Sequence, residues 1–304
     1  MRLLVTGGSG FLGEYVLRAA AARGHELTAL ARSRAAAAKV GWLGAQPVRG
    51  DLSQPASLAE AFDAGRCEAL LSLACLGSGH APAIVAATRA AGIPRAVFVS
   101  ATAVTTALPA ASRQPRLAAE QEVRESGLDW TILRPTMIYG APADRNLSRL
   151  LVLLHRTPVL PVPAGAGLQQ PVHVADLADA VLAAAERPEA IGSTYDVAGP
   201  DPLTLEELLR TAARVTGRRT RFIPVPLAPL VVAARGYELV SRHPRIRVEQ
   251  LRRLSEDKAF AIEAAVRDLA YAPRSFAVGI AAEARALGLP AHRGRAVVAG
   301  EEAA

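Results

Sequence analysis

The 304-residue sequence is poor in several residue types, and each shortage excludes a class of protein. It has two cysteines, Cys67 and Cys75, which are too few for a disulfide framework and lie in apolar surroundings that do not resemble a metal site. Aromatic residues make up 4% of the chain. No apolar run reaches about 18 residues without a breaker, so we expect no transmembrane helix. No metal constellation is recognisable, and we expect no bound metal.

The chain has a positive charge that comes almost entirely from arginine. Its net charge is +7, and Lys39 and Lys258 are its two lysines. The arginines are scattered and usually have carboxylates nearby, which favours solvated helix faces over a nucleic-acid-binding stripe. No signal peptide precedes the first apolar segment. We therefore expect a cytoplasmic protein with no nucleic-acid partner.

Apolar and helical segments alternate through the first half of the chain. The pattern predicts strands at 2–6, 26–31, 46–49, 69–74, 95–100 and 130–134. It predicts helices between them at 11–23, 33–40, 55–63, 80–92 and 114–126. Strands that read as mostly apolar and are separated by helix-length segments indicate an α/β fold with a doubly wound parallel sheet.

The pattern changes after Pro135, where prolines interrupt the sequence. It predicts a helix at 174–186, a strand near 194–198 and a helix at 205–216 that begins after the capping residue Thr204. The run 222–240 is interpreted as a buried strand, a turn and a helix. We expect a nucleotide-binding core over 1–135, mainly a smaller substrate lobe over 136–290 with elements returning to the core, and a flexible tail over 291–304.

Four glycines lie where the first predicted strand gives way to a helix. Gly7, Gly8, Gly10 and Gly13 satisfy both GxxGxxG and GxGxxG spacing. Glycine permits a sharp turn at positive φ and lets the backbone approach a pyrophosphate. The helix that starts near Phe11 would direct its unpaired N–H groups at that pyrophosphate. This context, a strand followed by a glycine turn and a helix, predicts a dinucleotide-binding loop.

The motifs together resemble those of the atypical and extended short-chain dehydrogenase/reductases, over residues 2 to about 290. The segments that carry the resemblance are TGGSGFLG (6–13), GDL (50–52), LA (73–74), WTILRPTMIYG (130–140) and QPVHVADLADAV (170–181). The last of these resembles the helix that begins the family's substrate lobe. The resemblance implies cofactor contacts at Gly7, Gly10, Phe11, Leu12, Gly13, Asp51, Leu52, Leu73, Ala74, Ser100 and Pro135.

The end of the second predicted strand indicates which dinucleotide binds. NAD-binding versions of the loop place an acid there to bind the ribose hydroxyls. This chain instead has Arg32, Ser33 and Arg34. Guanidinium groups pair with a 2′-phosphate, which a carboxylate would repel. We expect NADP(H) in preference to NAD(H), although either arginine could also be an ordinary solvated residue.

The proton-donating pair of the family's usual oxidoreductases is not found. Members use a tyrosine and a lysine four residues later, on the helix between the fifth and sixth strands. Neither residue type occurs between 100 and 130, and the aligned positions hold Ser112 and Arg116. Serine is a much weaker acid than a phenol, and arginine keeps its proton. The position that orients the substrate oxygen falls on Ala101 or Thr102.

Two hypotheses follow. The protein is an oxidoreductase or epimerase/dehydratase-like enzyme that takes its proton from another group, with Thr102 and Tyr139 as the nearest hydroxyls. Alternatively, it is a non-catalytic NADP(H)-binding sensor or accessory subunit. Thr102 and Tyr139 could equally be structural, and His173 and Asp176 are interpreted as structural residues at a helix start.

The substrate is expected to be a small molecule. The smaller lobe is rich in proline, leucine and valine, which suits a hydrophobic or quinone-like ligand, although these runs could equally form the core. Arg145, Arg156 and Arg221 are the arginines that could meet an acidic group. The resemblance also implies a homodimer through helices near 80–92 and 112–126.

Overall fold

The computed structural model describes residues 1–108, 111–140, 142, 144, 146–217, 220–241 and 248–289. Arg145 and the tail expected over 291–304 lie outside these residues. Within the described ranges no helix is both long and apolar enough to cross a membrane.

A seven-stranded parallel sheet forms the centre of the fold, in the order β10-β6-β5-β4-β1-β2-β3. Its strands are β1 (Arg2–Thr6), β2 (Glu26–Ala31), β3 (Gln46–Arg49), β4 (Ala69–Ser72), β5 (Arg95–Val99), β6 (Asp129–Pro135) and β10 (Ser193–Val197). The interior strands β1, β4 and β5 are buried along almost their whole length, which explains why their sequences are continuously apolar. The predicted parallel Rossmann-type fold is confirmed.

Helices cover both faces of this sheet. One face packs against α1 (Phe11–Ala22), α2 (Arg34–Trp42) and α7 (Val174–Glu186). The other packs against α3 (Pro55–Asp63), α4 (Ala81–Ala90) and α5 (Arg113–Arg124). The segment 170–181, which resembles the start of the family's substrate lobe, contains the beginning of α7, and this helix packs on α1 and the sheet. Its apolar residues belong to the core between the sheet and helices α1 and α2, which is larger than the core of the smaller lobe.

The smaller lobe has its own apolar core, centred on Tyr139, Leu151, Leu208 and Ile280. Its elements are β7 (Ile138–Tyr139), α6 (Leu147–Arg156), β8 (Val159–Pro163), β9 (Val172–His173), α8 (Leu205–Val215), β11 (Arg221–Val225), α9 (Leu227–Val240), α10 (Val248–Arg253) and α12 (Phe276–Ala286). A short helix, α11 (Glu263–Leu269), packs back on α7 and β10. Strands β7 and β9 pair in parallel, as do β8 and β11.

The run 222–240 does contain a strand and a helix, but the prediction that the strand is buried was wrong. In β11, residues Arg221, Ile223 and Pro224 are exposed. It pairs only with β8, so both strands are edges of a two-stranded sheet and have little to pack against. Apolar composition alone could not distinguish this arrangement from a buried strand.

Candidate functional site

The turn between β1 and α1 has glycine where a side chain would collide with backbone. Gly7 has φ of +75°, and a Cβ there would lie 2.9 Å from the backbone nitrogen of Ala74. A Cβ at Gly13 would overlap the carbonyl oxygens of Gly7 and Gly8. The turn is closed by the Gly10 N–H, which donates to the Gly7 carbonyl over 2.9 Å. These contacts explain the glycine spacing, because any other residue would force the turn open.

The N-terminus of α1 is open to a ligand. Gly10 is its capping residue, and no side chain of the described residues caps it. The amides of Phe11, Leu12 and Gly13 belong to the first turn, where helix geometry provides no backbone acceptor. Such an end carries a partial positive charge, so a pyrophosphate fits here. This cradle fits the diphosphate of a dinucleotide without any side-chain cation.

The end of β4 lies directly against the glycine turn. The Leu73 N–H donates to the Thr6 carbonyl over 3.1 Å, which continues the sheet beyond the last residue of β4. The missing side chain of Gly7 leaves room for the Leu73–Ala74 peptide. The structure therefore brings together two segments that the sequence placed about 65 residues apart.

Three of the predicted ribose and adenine contacts surround the end of β2. Arg32, Ser33 and Arg34 are exposed, and the Ser33 hydroxyl caps α2 by accepting from the Ala36 N–H over 3.2 Å. Hydrogen bonds from Ser53 hold the pKa of the Asp51 carboxyl below its usual range, and the Arg32 charge lowers it further. Arg32 and Asp51 thus lie in the same region of the molecule, near the ends of β2 and β3.

A second group of predicted residues lies at the carboxyl ends of β5 and β6. Ser100 is buried, and its N–H donates to the Leu133 carbonyl over 2.8 Å. The Thr102 hydroxyl donates to the Pro135 carbonyl over 3.3 Å, which fixes one predicted hydroxyl beside the predicted nicotinamide-side strand. Thr102, Pro135 and Ser100 therefore share one edge of the sheet, where ligands of open α/β sheets bind.

Ser112 and Arg116, the residues expected at the positions of the family's tyrosine and lysine, lie at the start of α5. Ser112 is exposed and precedes the helix. The Nη1 atom of the Arg116 guanidinium donates to the Ser112 carbonyl over 3.2 Å rather than to its hydroxyl. The Nη2 atom of the same guanidinium lies 3.6 Å from the Cys75 sulfur. Burial alone would raise the pKa of the Cys75 thiol, but hydrogen bonds from Ser78 and the Arg116 charge lower it overall. Arg116 is thus engaged by the loop after β4.

Tyr139 is poorly suited to donate a proton. Its side chain is buried, and its hydroxyl packs so closely on Gly279 of α12 that a Cβ there would overlap it. Burial raises the pKa of Tyr139 well above that of a free phenol. Its ring stacks edge-on against His173, with the centroids 5.3 Å apart. These contacts are those of a core residue.

His173 and Asp176 have the structural roles expected of them, with one difference. His173 Nδ1 accepts from the Ala175 N–H over 3.2 Å at the start of α7. Burial lowers the pKa of His173 to about 4, so its ring is neutral near pH 7. Asp176 is buried rather than a surface acid, and it pairs with Arg274 at 2.7 Å.

The sequence analysis missed a buried ionic network beneath the same sheet edge. Glu120 of α5 is fully buried and accepts from Arg134 of β6 at 3.0 and 2.6 Å and from Arg124 at 2.9 Å. Burial alone would raise the pKa of Glu120, but the hydrogen bonds from Arg134 and Arg124 hold it below its ordinary value. An arginine within a strand, and an acid on the apolar side of α5, were the signals in the sequence.

A second missed contact joins the two lobes. The Glu256 carboxylate accepts from the Thr106 hydroxyl at 2.8 and 2.7 Å and from the N–H groups of Ala107 and Leu108 at 3.0 and 3.2 Å. The loop it holds follows Thr102 and precedes α5. The neighbouring Asp257 accepts from the Leu168 N–H over 2.8 Å. Segment 254–258 therefore bridges the smaller lobe and the loop after β5.

The remaining predicted arginines are not part of this arrangement. Arg156 ends α6 and Arg221 begins β11, and both are exposed in the smaller lobe. Within the described part of the chain, no cluster of three or more His, Cys, Asp or Glu residues could hold a metal.

The family described as "NAD(P)H-binding" matches residues 7–188, which include the glycine turn, the end of β4 and the edge at Pro135. The chain belongs to this family. The resemblance to the atypical and extended short-chain dehydrogenase/reductases is thereby confirmed, and the chain is an NAD(P)H-binding protein of that family.

Two curated relatives are identical to this chain at about a third of the aligned residues. A "4-hydroxy-2-methyl-3-oxo-4-farnesyl-3,4-dihydroquinoline-1-oxide ketoreductase" of Stigmatella aurantiaca is 32% identical, over 90% of this chain and 92% of its own. A ceramide reductase of Caulobacter vibrioides is 32% identical over 73% of each chain.

Solved structures show the same fold at lower identity. A triphenylmethane reductase of Citrobacter superposes with a TM-score of 0.76 at 19% identity, over 95% of this chain and 100% of that chain. An Escherichia coli quinone oxidoreductase complexed with NADPH gives 0.69 at 19% identity, over 91% and 98%. These two likenesses establish the architecture of the family member.

Proposed function

We propose that this protein is an NADPH-dependent reductase of an apolar carbonyl or quinone-like small molecule. The observation that carries the proposal is the pair of exposed arginines, Arg32 and Arg34, at the end of β2, beside an uncapped helix that accepts a diphosphate. NADPH, when bound, supplies the hydride. The chain's own residues hold it and orient the acceptor.

The preference for NADPH rests on charge at the ribose. Arg32 and Arg34 are exposed and positioned at the start of α2, whose capping residue is Ser33. A 2′-phosphate here meets two cations and a helix N-terminus, and each contact favours an anion. Asp51 is an acid close enough to Arg32 for the arginine charge to lower the pKa of its carboxyl.

The choice of substrate rests on the relatives and on the sheet edge. The two relatives named above are reductases of a farnesylated quinoline oxide and of ceramide, both largely apolar molecules. Thr102, held by the Pro135 carbonyl, is the hydroxyl best placed to orient a substrate oxygen. Since Tyr139 is buried in the core of the smaller lobe, the proposal gives it no catalytic role. The homodimer remains a prediction.

Calorimetric titration with NADPH and NADH tests the cofactor. We expect tighter NADPH binding, and we expect Arg32→Ala/Arg34→Ala to weaken NADPH binding at least tenfold while leaving NADH nearly unchanged. Arg89→Ala, an exposed arginine in the last turn of α4, is the matched control and should change neither. Tighter NADH binding by the wild-type protein would contradict the proposal.

A second candidate is a non-catalytic NADP(H)-binding sensor or accessory subunit. It is favoured by the arrangement on α5, where Arg116 contacts Ser112 and Cys75 instead of supporting a phenol. Three mitochondrial NADH dehydrogenase subunits are 30–33% identical over about half of this chain. A panel of apolar ketones, quinones and sugar nucleotides with NADPH distinguishes the candidates. Turnover of any member supports the reductase, and complete inertness with tight NADPH binding supports the sensor.

A further inference from the structure

Helix α9 of the smaller lobe presents apolar side chains to solvent. Leu239 and Val240 are each 88% exposed, and Val232 is 71% exposed. Ala234 is the one buried residue of this 14-residue helix. Isolated exposed apolar residues are common, but a soluble helix normally buries its apolar face against a core. In this helix Val232, Leu239 and Val240 are exposed to solvent instead.

These side chains form one face of the helix. At 3.6 residues per turn, Val232, Gly236, Leu239 and Val240 fall within about a quarter of the circumference. The helix is about 21 Å long at 1.5 Å per residue, which is too short to span a bilayer and long enough to lie on one. We call residues 232, 236, 239 and 240 the α9 face.

The charge around the α9 face is positive. Arg235 is exposed on α9 itself, and the last turn of the neighbouring helix α10 carries Arg252 and Arg253. The two helices are joined by Glu238, whose carboxylate accepts from the Val248 N–H over 3.0 Å. The sequence from 241 to 253 holds five arginines and one glutamate, and three of those arginines (242, 245 and 247) lie outside the described residues.

This positive charge helps to distinguish two possible partners of the exposed apolar face, a second copy of the chain and a lipid surface. A second copy docked symmetrically on this face would bring together two copies of the arginine-rich segment that follows it, which disfavours association. An anionic lipid surface attracts basic residues and also accepts apolar side chains at the headgroup boundary. The combination of apolar face and flanking cations fits that surface.

We propose that α9 docks on an anionic lipid membrane, with Val232, Leu239 and Val240 inserted at the headgroup boundary and the arginines of α10 against the lipid phosphates. The inference does not rest on the dinucleotide site or on any turnover. The protein binds the membrane peripherally and reversibly, since one short face supplies limited apolar area.

Co-sedimentation with phosphatidylglycerol/phosphatidylcholine vesicles tests the proposal, with pure phosphatidylcholine vesicles for comparison. We expect binding to the anionic vesicles that weakens as salt is raised. Leu239→Asp/Val240→Asp and, separately, Arg252→Glu/Arg253→Glu should each reduce binding at least tenfold. The control is Val278→Asp, which alters an exposed apolar residue of α12 (59% exposed) and should leave binding unchanged.

Circular dichroism and NADPH titration establish that each variant is folded, which separates lost docking from lost structure. The proposal is overturned if the wild-type protein ignores anionic vesicles, or if the α9 variants sediment like the wild type. It is also overturned if the wild-type protein is a dimer in light scattering that Leu239→Asp/Val240→Asp converts to a monomer. That result would assign the α9 face to a second copy.

Discussion

Glu283 of α12 is expected to make the protein less stable as the pH rises. Its side chain is fully buried, and neither carboxylate oxygen has a hydrogen-bond partner among the described residues. Burial, with the nearby charge of Asp144, raises the pKa of Glu283 from 4.5 to about 8. Asp144 is itself required as an acceptor, because it binds the N–H groups of Asn146 and Leu147 at 2.6 and 2.9 Å.

The sign and size of the effect follow from linkage. Between pH 4.5 and about 8 the folded protein holds a proton on Glu283 that the unfolded chain has released. The contribution of Glu283 to stability is therefore fully present below pH 4.5 and is lost as the pH rises through about 8. The shift in pKa corresponds to a loss of about 3–5 kcal/mol. Glu283→Gln removes this loss, because the amide stays neutral at every pH.

Urea denaturation at pH 5 and pH 9 measures the effect. We expect the free energy of unfolding of Glu283→Gln, relative to wild type, to become about 3–5 kcal/mol more favourable between pH 5 and pH 9. The control Glu60→Gln, which changes an exposed acid on α3, should show no such trend. A Glu283→Gln difference that stays constant within about 1 kcal/mol across this range would refute the reasoning.

Three further predictions follow from the site. Glu120→Gln leaves the half-buried Arg134 without its anion, and it should lower the free energy of unfolding at pH 7 by about 3–5 kcal/mol in urea denaturation; a loss below 1 kcal/mol would contradict the ionic role. Gly13→Ala should weaken NADPH binding at least tenfold in calorimetry, whereas Gly41→Ala, whose added Cβ meets no atom within 4 Å, should not. Glu256→Gln should speed hydrogen exchange at amides 107 and 108 by about tenfold while NADPH affinity holds, and unchanged exchange would show that the bridge is unimportant.

The sheet and the glycine turn could be predicted because their signals are local. Strands β1, β4 and β5 are buried, so their sequences are continuously apolar and end at turns. The second lobe was harder, because β8 and β11 contain prolines that normally argue against a strand. In a two-stranded sheet both strands are edges, where missing N–H groups are tolerated.

The ionic contacts could not be read from the sequence because they join distant residues. Glu120 and Arg134 lie 14 positions apart on different elements, and Glu256 contacts Thr106 across 150 positions. Charge patterning along a helix reports neighbours three or four residues away and nothing beyond them. The contact of Tyr139 with Gly279 of α12 is equally remote in the sequence, so the sequence left its structural and catalytic interpretations open.

The pairing of β10 with β6 affects how the protein is made. β6 ends at residue 135, but the strand that covers its outer edge ends at residue 197. A ribosome adding about 5–20 residues per second needs roughly 3–12 s to cover that interval. During this time the nascent sheet carries an open edge that other chains can join. Until β10 has been synthesised, β6 therefore remains an unpaired edge strand.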